Sequence, residues 1–174
     1  MPVMGTEPQG PPADVAASGR ASEVEVERIV ARFGEAYDGR DIDGVVELFA
    51  EDGDWRVGPG TFTGKDEVRH LLEWDVGLSP TLTSQEEGVG ILAKGDVGFR
   101  EHLIQATAEG IPVAYPCLSV LEVNEEGRIQ HVRSYYDKLG IMHDVASKYP
   151  GVKGWFFRKM VNTLVALGEK GLKR

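Results

Sequence analysis

The sequence predicts one α+β domain in which an antiparallel sheet packs against the helices that precede it. In the first half of the chain, apolar residues recur at three- and four-residue steps, which is the spacing of amphipathic helices. The second half holds four strand-like segments joined by short turns, and short connections join antiparallel neighbours. Helices and a sheet that have one apolar face each can bury both faces by packing together. A chain of 174 residues fits one such domain.

The first two predicted helices are defined by their caps. Ser22 and Glu25 have the spacing of a capping box, so the first helix is expected to begin at Ser22. Its apolar stripe runs to Tyr37, and Gly39 ends it. Asp41 can cap a short second helix. The apolar residues of that helix are Val45, Val46, Leu48 and Phe49.

The strands are predicted from their composition and from the turns between them. A short strand around Trp55 and a turn at residues 58–60 are followed by a third helix, which starts near Thr63 or Gly64. The apolar face of that helix holds Val68, Leu71, Leu72 and Val76. Four strands are then expected over residues 82–93, 97–108, 112–123 and 128–137. A short helix follows near Leu139.

The two ends of the chain differ from this central domain, which we place at residues 22–146. Residues 1–21 contain four prolines and three glycines without apolar periodicity, so they are predicted to form a disordered leader. Residues 147–174 are predicted to form a basic amphipathic helix. Neither a secretory signal nor a membrane-spanning run is visible, and the single cysteine, Cys117, fits a cytoplasmic location.

Charge is distributed unevenly along the chain. The net charge of −9 argues against nucleic acid as the main partner. Residues from Ser147 onward carry +6, whereas residues 1–146 carry −15. Aromatic residues lie beside cations over residues 155–160, a pattern typical of a membrane-surface helix or of an arm that covers the domain or crosses a dimer. The acidic body offers a complementary surface, which favours the arm over a membrane partner.

Three segments carry a resemblance to a known family. They are residues 37–52 (YDGRDIDGVVELFAED), 64–68 (GKDEV) and 133–140 (RSYYDKLG). Over these segments the chain resembles the nuclear transport factor 2-like superfamily, in its SnoaL-like and limonene-1,2-epoxide hydrolase-like branch. The resemblance implies a cystatin-like α+β roll, in which a curved antiparallel sheet wraps the N-terminal helices into a cone with an internal apolar pocket. It also implies a homodimer that forms through the convex face of the sheet.

The candidate catalytic residues follow from strand alternation and from this resemblance. Arg100 and His102 share one face of the strand at 97–108, and Tyr135 and Asp137 share one face of the last strand. The resemblance puts Asp137 on the pocket side, together with Arg100 and His102. A carboxylate in an apolar pocket has a raised pKa, which a nearby arginine lowers again, and this combination produces a tuned acid or base. The alternative is that Asp137 pairs with Arg100 or caps the helix near Leu139.

The reaction expected from the resemblance depends on which family positions are kept. In the epoxide hydrolase pattern, Arg100 matches the Arg of an Arg-x-Asp pair and Asp137 matches a second, terminal Asp. His102 stands where the first Asp is expected, and Trp55 and Val57 replace a Tyr-x-Asn pair that holds water. The sequence therefore favours SnoaL-like cyclase or isomerase chemistry, in which a proton is removed next to a carbonyl. Epoxide hydrolysis and a non-catalytic binding or protein-association domain are the two alternatives.

The expected ligand is an apolar small molecule of polyketide, steroid or terpenoid type. The residues expected to line its pocket are Tyr37, Trp55, Trp74, Tyr115 and Tyr135. No cofactor and no metal site are predicted, because the sequence shows neither a cluster of ligands at metal spacing nor a phosphate-binding loop. Cys117 is interpreted as a small buried residue.

Overall fold

The computed structural model describes residues 21–79, 81–108, 110–168 and 170, which form five helices and six strands. The helices are α1 (Glu23–Asp38), α2 (Ile42–Leu48), α3 (Lys65–Leu78), α4 (Lys138–Lys148) and α5 (Gly151–Gly168). The strands are β1 (Phe49–Val57), β2 (Gly60–Thr63), β3 (Thr83–Lys94), β4 (Val97–Ala108), β5 (Ile111–Val123) and β6 (Ile129–Tyr136). The predicted leader lies outside the described residues except for Ala21.

All six strands belong to one curved sheet with the order β2-β1-β6-β5-β4-β3. Strands β3 to β6 form an antiparallel meander, as the short turns predict. Strand β1 joins the other side of β6 in parallel, and β2 pairs antiparallel with β1. The predicted fold class, an α+β domain with helices against a curved sheet, is confirmed.

The caps that the sequence predicts form as expected at α1 and α2. The Ser22 backbone N–H donates to the Glu25 carboxylate at 2.8 Å, and the Glu25 N–H donates to the Ser22 hydroxyl at 3.3 Å. Asp41 accepts a hydrogen bond from the Gly44 N–H at 2.9 Å. The prediction for Phe49 is wrong, because this residue begins β1 and is not helical. Pairing with Ile129 of β6 holds it in the sheet, a contact that local sequence cannot reveal.

The core lies between α1, α2, α3 and the concave face of the sheet. Val26, Val30 and Phe33 of α1 are almost fully buried, as are Leu121 and Val132 of the sheet. Burial of each such side chain stabilises the fold by roughly 1.5–3 kcal/mol. This packing brings α1 directly over strand β4.

The close approach of α1 to β4 depends on Gly98. A Cβ atom at this position would lie 2.3 Å from Cγ2 of Val30 and 3.1 Å from Cγ1 of Val26. Only a residue without a side chain lets the helix sit at this height above the strand. The register of α1 over the sheet, and with it the position of the end of α1, follows from this contact.

The C-terminal helices extend from the end of the sheet. Helix α4 packs beside β5, and α5 packs chiefly against α4, where it buries Gly154 and Val161. The other face of α5 leaves large apolar side chains exposed, namely Val152, Trp155, Phe156, Met160, Leu164 and Leu167. Among the described residues, no helix is both long and apolar enough to cross a bilayer. A covering arm, a dimer and a membrane-surface role for this segment all stay predictions.

Two glycine substitutions should change the free energy of unfolding in opposite directions. The first tests the close packing of α1 on β4, and the second is a comparison in α3. Gly98→Ala should lower the free energy of unfolding by about 1–3 kcal/mol, because its Cβ displaces α1 from β4. Gly77→Ala, at an exposed position of α3 with open space around it, should raise that energy by up to about 1 kcal/mol. Urea unfolding followed by circular dichroism measures both. A neutral Gly98→Ala variant would contradict the close packing of α1 on β4.

Candidate active site

A cavity opens between α1, α3 and the concave face of the sheet. Six aromatic side chains line it, namely Phe33, Tyr37, Trp55, Trp74, Tyr115 and Tyr136. Its volume is about 70 Å³, which is well below the roughly 300–1,000 Å³ of drug-sized ligand pockets. Trp74 is half exposed and stands at the entrance. The cavity as it stands therefore admits a small molecule, and a larger ligand requires the aromatic side chains to move.

One wall of the cavity holds a hydrogen-bonded pair from the two helices. The Tyr37 hydroxyl donates to Oδ2 of Asp75 at 2.5 Å. Burial, and then the negative charge of Asp75, hold the pKa of Tyr37 well above its ordinary value, so the phenol keeps its proton. Burial also raises the pKa of Asp75, although the Tyr37 hydrogen bond and the charge of Arg40 oppose this. A carboxyl group with a raised pKa thus faces an aromatic cavity.

The opposite wall holds His102 of β4, which is almost fully buried. Its Nδ1 lies 3.1 Å from the backbone carbonyl oxygen of Arg100. Because a carbonyl only accepts hydrogen bonds, Nδ1 carries the proton and Nε2 keeps its lone pair in the neutral ring. Burial, and then the charge of Arg100, lower the pKa of His102 below 6.5. Within the described part of the chain Nε2 makes no hydrogen bond, which leaves it available as a base.

Arg100 is buried beside His102, and its charge is matched within the protein. Its Nη2 donates to Oδ2 of Asp38 at 2.9 Å and to the Ser84 hydroxyl at 2.8 Å. Nε of Arg100 is buried and has no hydrogen-bond partner among the residues described. A Cβ at Gly34 would lie 2.6 Å from the Arg100 guanidinium carbon, so this glycine makes the room. The guanidinium therefore joins α1 to β3 and β4 at the inner end of the cavity.

Two serines complete the floor of the cavity. The Trp55 Nε1–H donates to the Ser134 hydroxyl at 3.1 Å, and the Ser134 and Ser119 oxygens lie 3.4 Å apart. Ser119 pairs with Arg100 across the sheet, and the neighbouring Cys117 pairs with His102. Burial raises the pKa of the Cys117 thiol to about 11, so it stays protonated. The floor thus adds two hydroxyl groups to the cavity that His102 also lines.

The prediction that Asp137 lies in the pocket is wrong. Asp137 is exposed, and its carboxylate caps α4 by accepting the Gly140 N–H at 3.0 Å. Strand β6 turns Ser134 and Tyr136 toward the cavity, so the alternate face with Tyr135 points outward, and Tyr135 is 50% exposed. The predicted alternation of side chains along this strand holds, but the resemblance assigned the wrong face to the pocket. The structure shows the alternative interpretation instead, in which Asp137 caps a helix.

The other predicted site residues lie along the cavity. Arg100 and His102 line the cavity from strand β4, and its aromatic lining includes Tyr37, Trp55, Trp74 and Tyr115. The sequence interpretation missed Asp75, which provides the carboxyl group of the site. A signal was present, since Asp75 follows Leu71 and Leu72 at four- and three-residue steps on the apolar face of α3. A carboxylate within such a stripe is a candidate buried acid.

Comparison with known proteins agrees with this fold and cavity. The SnoaL-like domain model matches residues 30–132. The chain belongs to the SnoaL-like domain family. It is thereby a member of the nuclear transport factor 2-like superfamily, as the three sequence segments suggest.

Two solved structures show the same fold as this SnoaL-like domain. One is a hypothetical protein from Catenulispora acidiphila DSM 44928 with a ketosteroid isomerase-like fold, in complex with trimethylamine. It is 20% identical, with a TM-score of 0.60 over 67% of this chain and 90% of that one. The other is an epoxide hydrolase from M. tuberculosis that resembles limonene-1,2-epoxide hydrolase, 23% identical, with a TM-score of 0.59 over 72% and 92%. No functionally curated protein matches the chain.

Removal of the Asp137 carboxylate should affect stability and leave the cavity unchanged. Asp137→Ala should cost about 0.5–2 kcal/mol of unfolding free energy through loss of the α4 cap. Asp144→Ala removes the same charge from an exposed position within α4 and serves as the control. Thermal unfolding measures the cost, and the NMR shifts of the His102 ring report on the cavity. A large change in those shifts in Asp137→Ala would contradict the outward position of Asp137.

The protonation state of His102 can be observed directly. Nitrogen-15 NMR at pH 7 should show a neutral ring with the proton on Nδ1, and the titration midpoint should lie below 6.5. The free energy of unfolding should also fall as the pH drops below about 6.5, because the unfolded chain then binds a proton that the folded chain does not. A midpoint at or above 6.5, or a proton on Nε2, would contradict this assignment.

Proposed function

We propose that this SnoaL-like domain is an acid–base enzyme of the isomerase type, acting on a small molecule that carries a carbonyl group. The observation that carries the proposal is His102, a buried neutral imidazole whose Nε2 lone pair is free within a cavity. A base with these properties needs no deprotonation step before it acts near neutral pH. The ketosteroid isomerase-like fold of one structural neighbour supports the same reaction class.

The proposed reaction begins when Nε2 of His102 removes a proton from the carbon next to the carbonyl group. Electron density moves onto the carbonyl oxygen, which becomes an enolate. The hydroxyl groups of Ser119 and Ser134 are the nearest side-chain donors on the floor, and the buried positive charge of Arg100 favours a negative oxygen there. When the substrate has a β,γ double bond, the enolate is conjugated with it, and return of the same proton from His102 to the γ carbon gives the α,β-unsaturated isomer. No other reactant is consumed.

Proton exchange in heavy water tests this proposal. Wild-type protein should catalyse the exchange of α-protons of small cyclic ketones, including β,γ-unsaturated ones, into deuterium, which proton NMR follows. His102→Ala should lose about 10²- to 10⁴-fold of the rate through loss of the general base. Added imidazole should restore part of the rate, because the cavity that remains can accept it.

The control for this experiment is His143→Ala. His143 is exposed on α4 and lies outside the cavity, so its loss should leave the exchange rate unchanged. Thermal unfolding checks that the His102→Ala variant is folded. Exchange by His102→Ala at the wild-type rate would remove His102 from the mechanism. Absence of exchange by the wild-type protein with every ketone would reject carbonyl isomerisation.

Hydrolysis of an epoxide is the second candidate function. Asp75, a carboxyl group with a raised pKa, and His102, a free base, line the same cavity. In this reaction His102 would take a proton from water, and Asp75 would protonate the epoxide oxygen. The structural neighbour from M. tuberculosis supports this reaction class. Incorporation of oxygen-18 from labelled water into a diol product would decide for hydrolysis over isomerisation.

A further inference from the structure

The charged side chains that line the cavity, Asp75 and Arg100, bear on the kind of ligand that it can bind. We propose that the substrate of this site carries a small ammonium group, which binds at Asp75 among the aromatic rings while the reacting carbon faces His102. This inference rests on the proposed function for the identity of the site. It adds the chemical class of the substrate, a small amine that also carries the reacting carbonyl group.

The charges of the residues that line the cavity are balanced except at Asp75. The Arg100 guanidinium is matched by the Asp38 carboxylate at 2.9 Å. The His102 ring is neutral near pH 7 because burial lowers its pKa. Among the described residues that line the cavity, the carboxylate of Asp75 is therefore the formal charge that has no opposite charge bonded to it.

The hydrogen bonds of Asp75 leave its negative charge unmatched. The Tyr37 hydroxyl is its hydrogen-bond partner, and a neutral phenol does not cancel a carboxylate charge. Arg40 acts on Asp75 only through space, because its Nη2 donates instead to the carbonyl oxygens of Ser79 and Leu82, at 2.8 and 3.2 Å. An ammonium group that reaches Asp75 would offset the desolvation of this buried charge.

Aromatic rings share the cavity with Asp75. Tyr37, Trp74 and Tyr115 line the same cavity as the carboxylate. The face of an aromatic ring attracts cations, and several rings together favour alkylammonium groups over neutral groups of equal size. Tyr37 and Tyr115 remain neutral, because burial raises the pKa of both. An anionic ligand would be repelled by the Asp75 carboxylate. Arg100 would not compensate for this repulsion, because its charge is already paired with Asp38.

A pair of ligands of equal shape tests the proposal without any turnover. Choline and its neutral isostere 3,3-dimethylbutan-1-ol are titrated into the full-length protein by isothermal calorimetry at pH 7. Choline should bind about tenfold more tightly or better, since only the cation gains from Asp75 and the rings. Its affinity should fall as the pH is lowered, because protonation of Asp75 removes the charge that holds it. Equal affinities for the two ligands, or absence of choline binding, would overturn the proposal.

Two variants separate this inference from the proposed reaction. Asp75→Asn should lose the preference for choline, whereas Glu73→Gln, an exposed change of the same charge on the same helix, should keep it. If Asp75→Asn fails to fold, the pH dependence of the wild-type protein provides the decisive measurement. His102→Ala should retain the preference for choline while losing proton exchange. If the wild-type protein prefers choline but does not catalyse proton exchange, only the proposed reaction is rejected. If it catalyses proton exchange but does not prefer choline, only the proposed ammonium site is rejected.

Discussion

The partly buried ion pair between Arg100 and Asp38 is the interaction on which the geometry of the site depends. It links the end of α1 to β4, and Ser84 adds β3 by donating to Asp38 at 2.6 Å. Tyr37 precedes Asp38 in α1, and His102 shares the face of β4 that holds Arg100. One network of three side chains therefore positions groups on both walls of the cavity. Loss of either partner would leave the other charge unpaired, which is costly for the buried Arg100 guanidinium.

Burial gives the two walls their different chemical properties. The same loss of solvation raises the pKa of Tyr37 and Asp75 and lowers the pKa of His102, because each group is driven toward its neutral form. A protonated phenol and an unprotonated imidazole therefore coexist near neutral pH. Environments that move the pKa values of facing groups in opposite directions are typical of acid–base sites. The aromatic lining thus helps to set the protonation states of the polar groups beside it.

Much of the fold could be predicted because its determinants are local. The capping box at Ser22, the cap at Asp41 and the turns of the meander each act within a few residues, so the sequence shows them directly. Alternation along β4 placed Arg100 and His102 on one face for the same reason. The position of Phe49 depended on pairing with a strand eighty residues away, and local periodicity does not report such a contact.

The candidate site was only half predictable, since Asp137, which the sequence suggests for the pocket, lies outside it, and Asp75, which the sequence interpretation missed, lines it. Asp137 follows the last strand, and that place fits a strand end and a helix cap equally well; the hydrogen bond from Gly140 makes it a cap. Asp75 lies in a helical stripe, where its burial depends on how closely α3 approaches α1 and the sheet. The burial of Asp75 is not encoded by neighbouring residues, because it depends on tertiary packing.

The presence of Asp75 in place of Asp137 changes the origin of the polar groups in the cavity. With Asp137 outside, the carboxyl group of the cavity comes from helix α3, whereas the imidazole comes from strand β4. The separation of Asp75 and His102 then depends on how α3 packs against α2, β1 and β2. It also depends on the hydrogen bond from Tyr37 of α1 to Asp75, because the Arg100–Asp38 pair holds the end of α1 on β4. His102 on the sheet and Asp75 on a helix would move relative to each other if α3 shifted. In the proposed reactions, the width of the cavity, and hence the size of the substrate, is therefore coupled to the distance between these two groups.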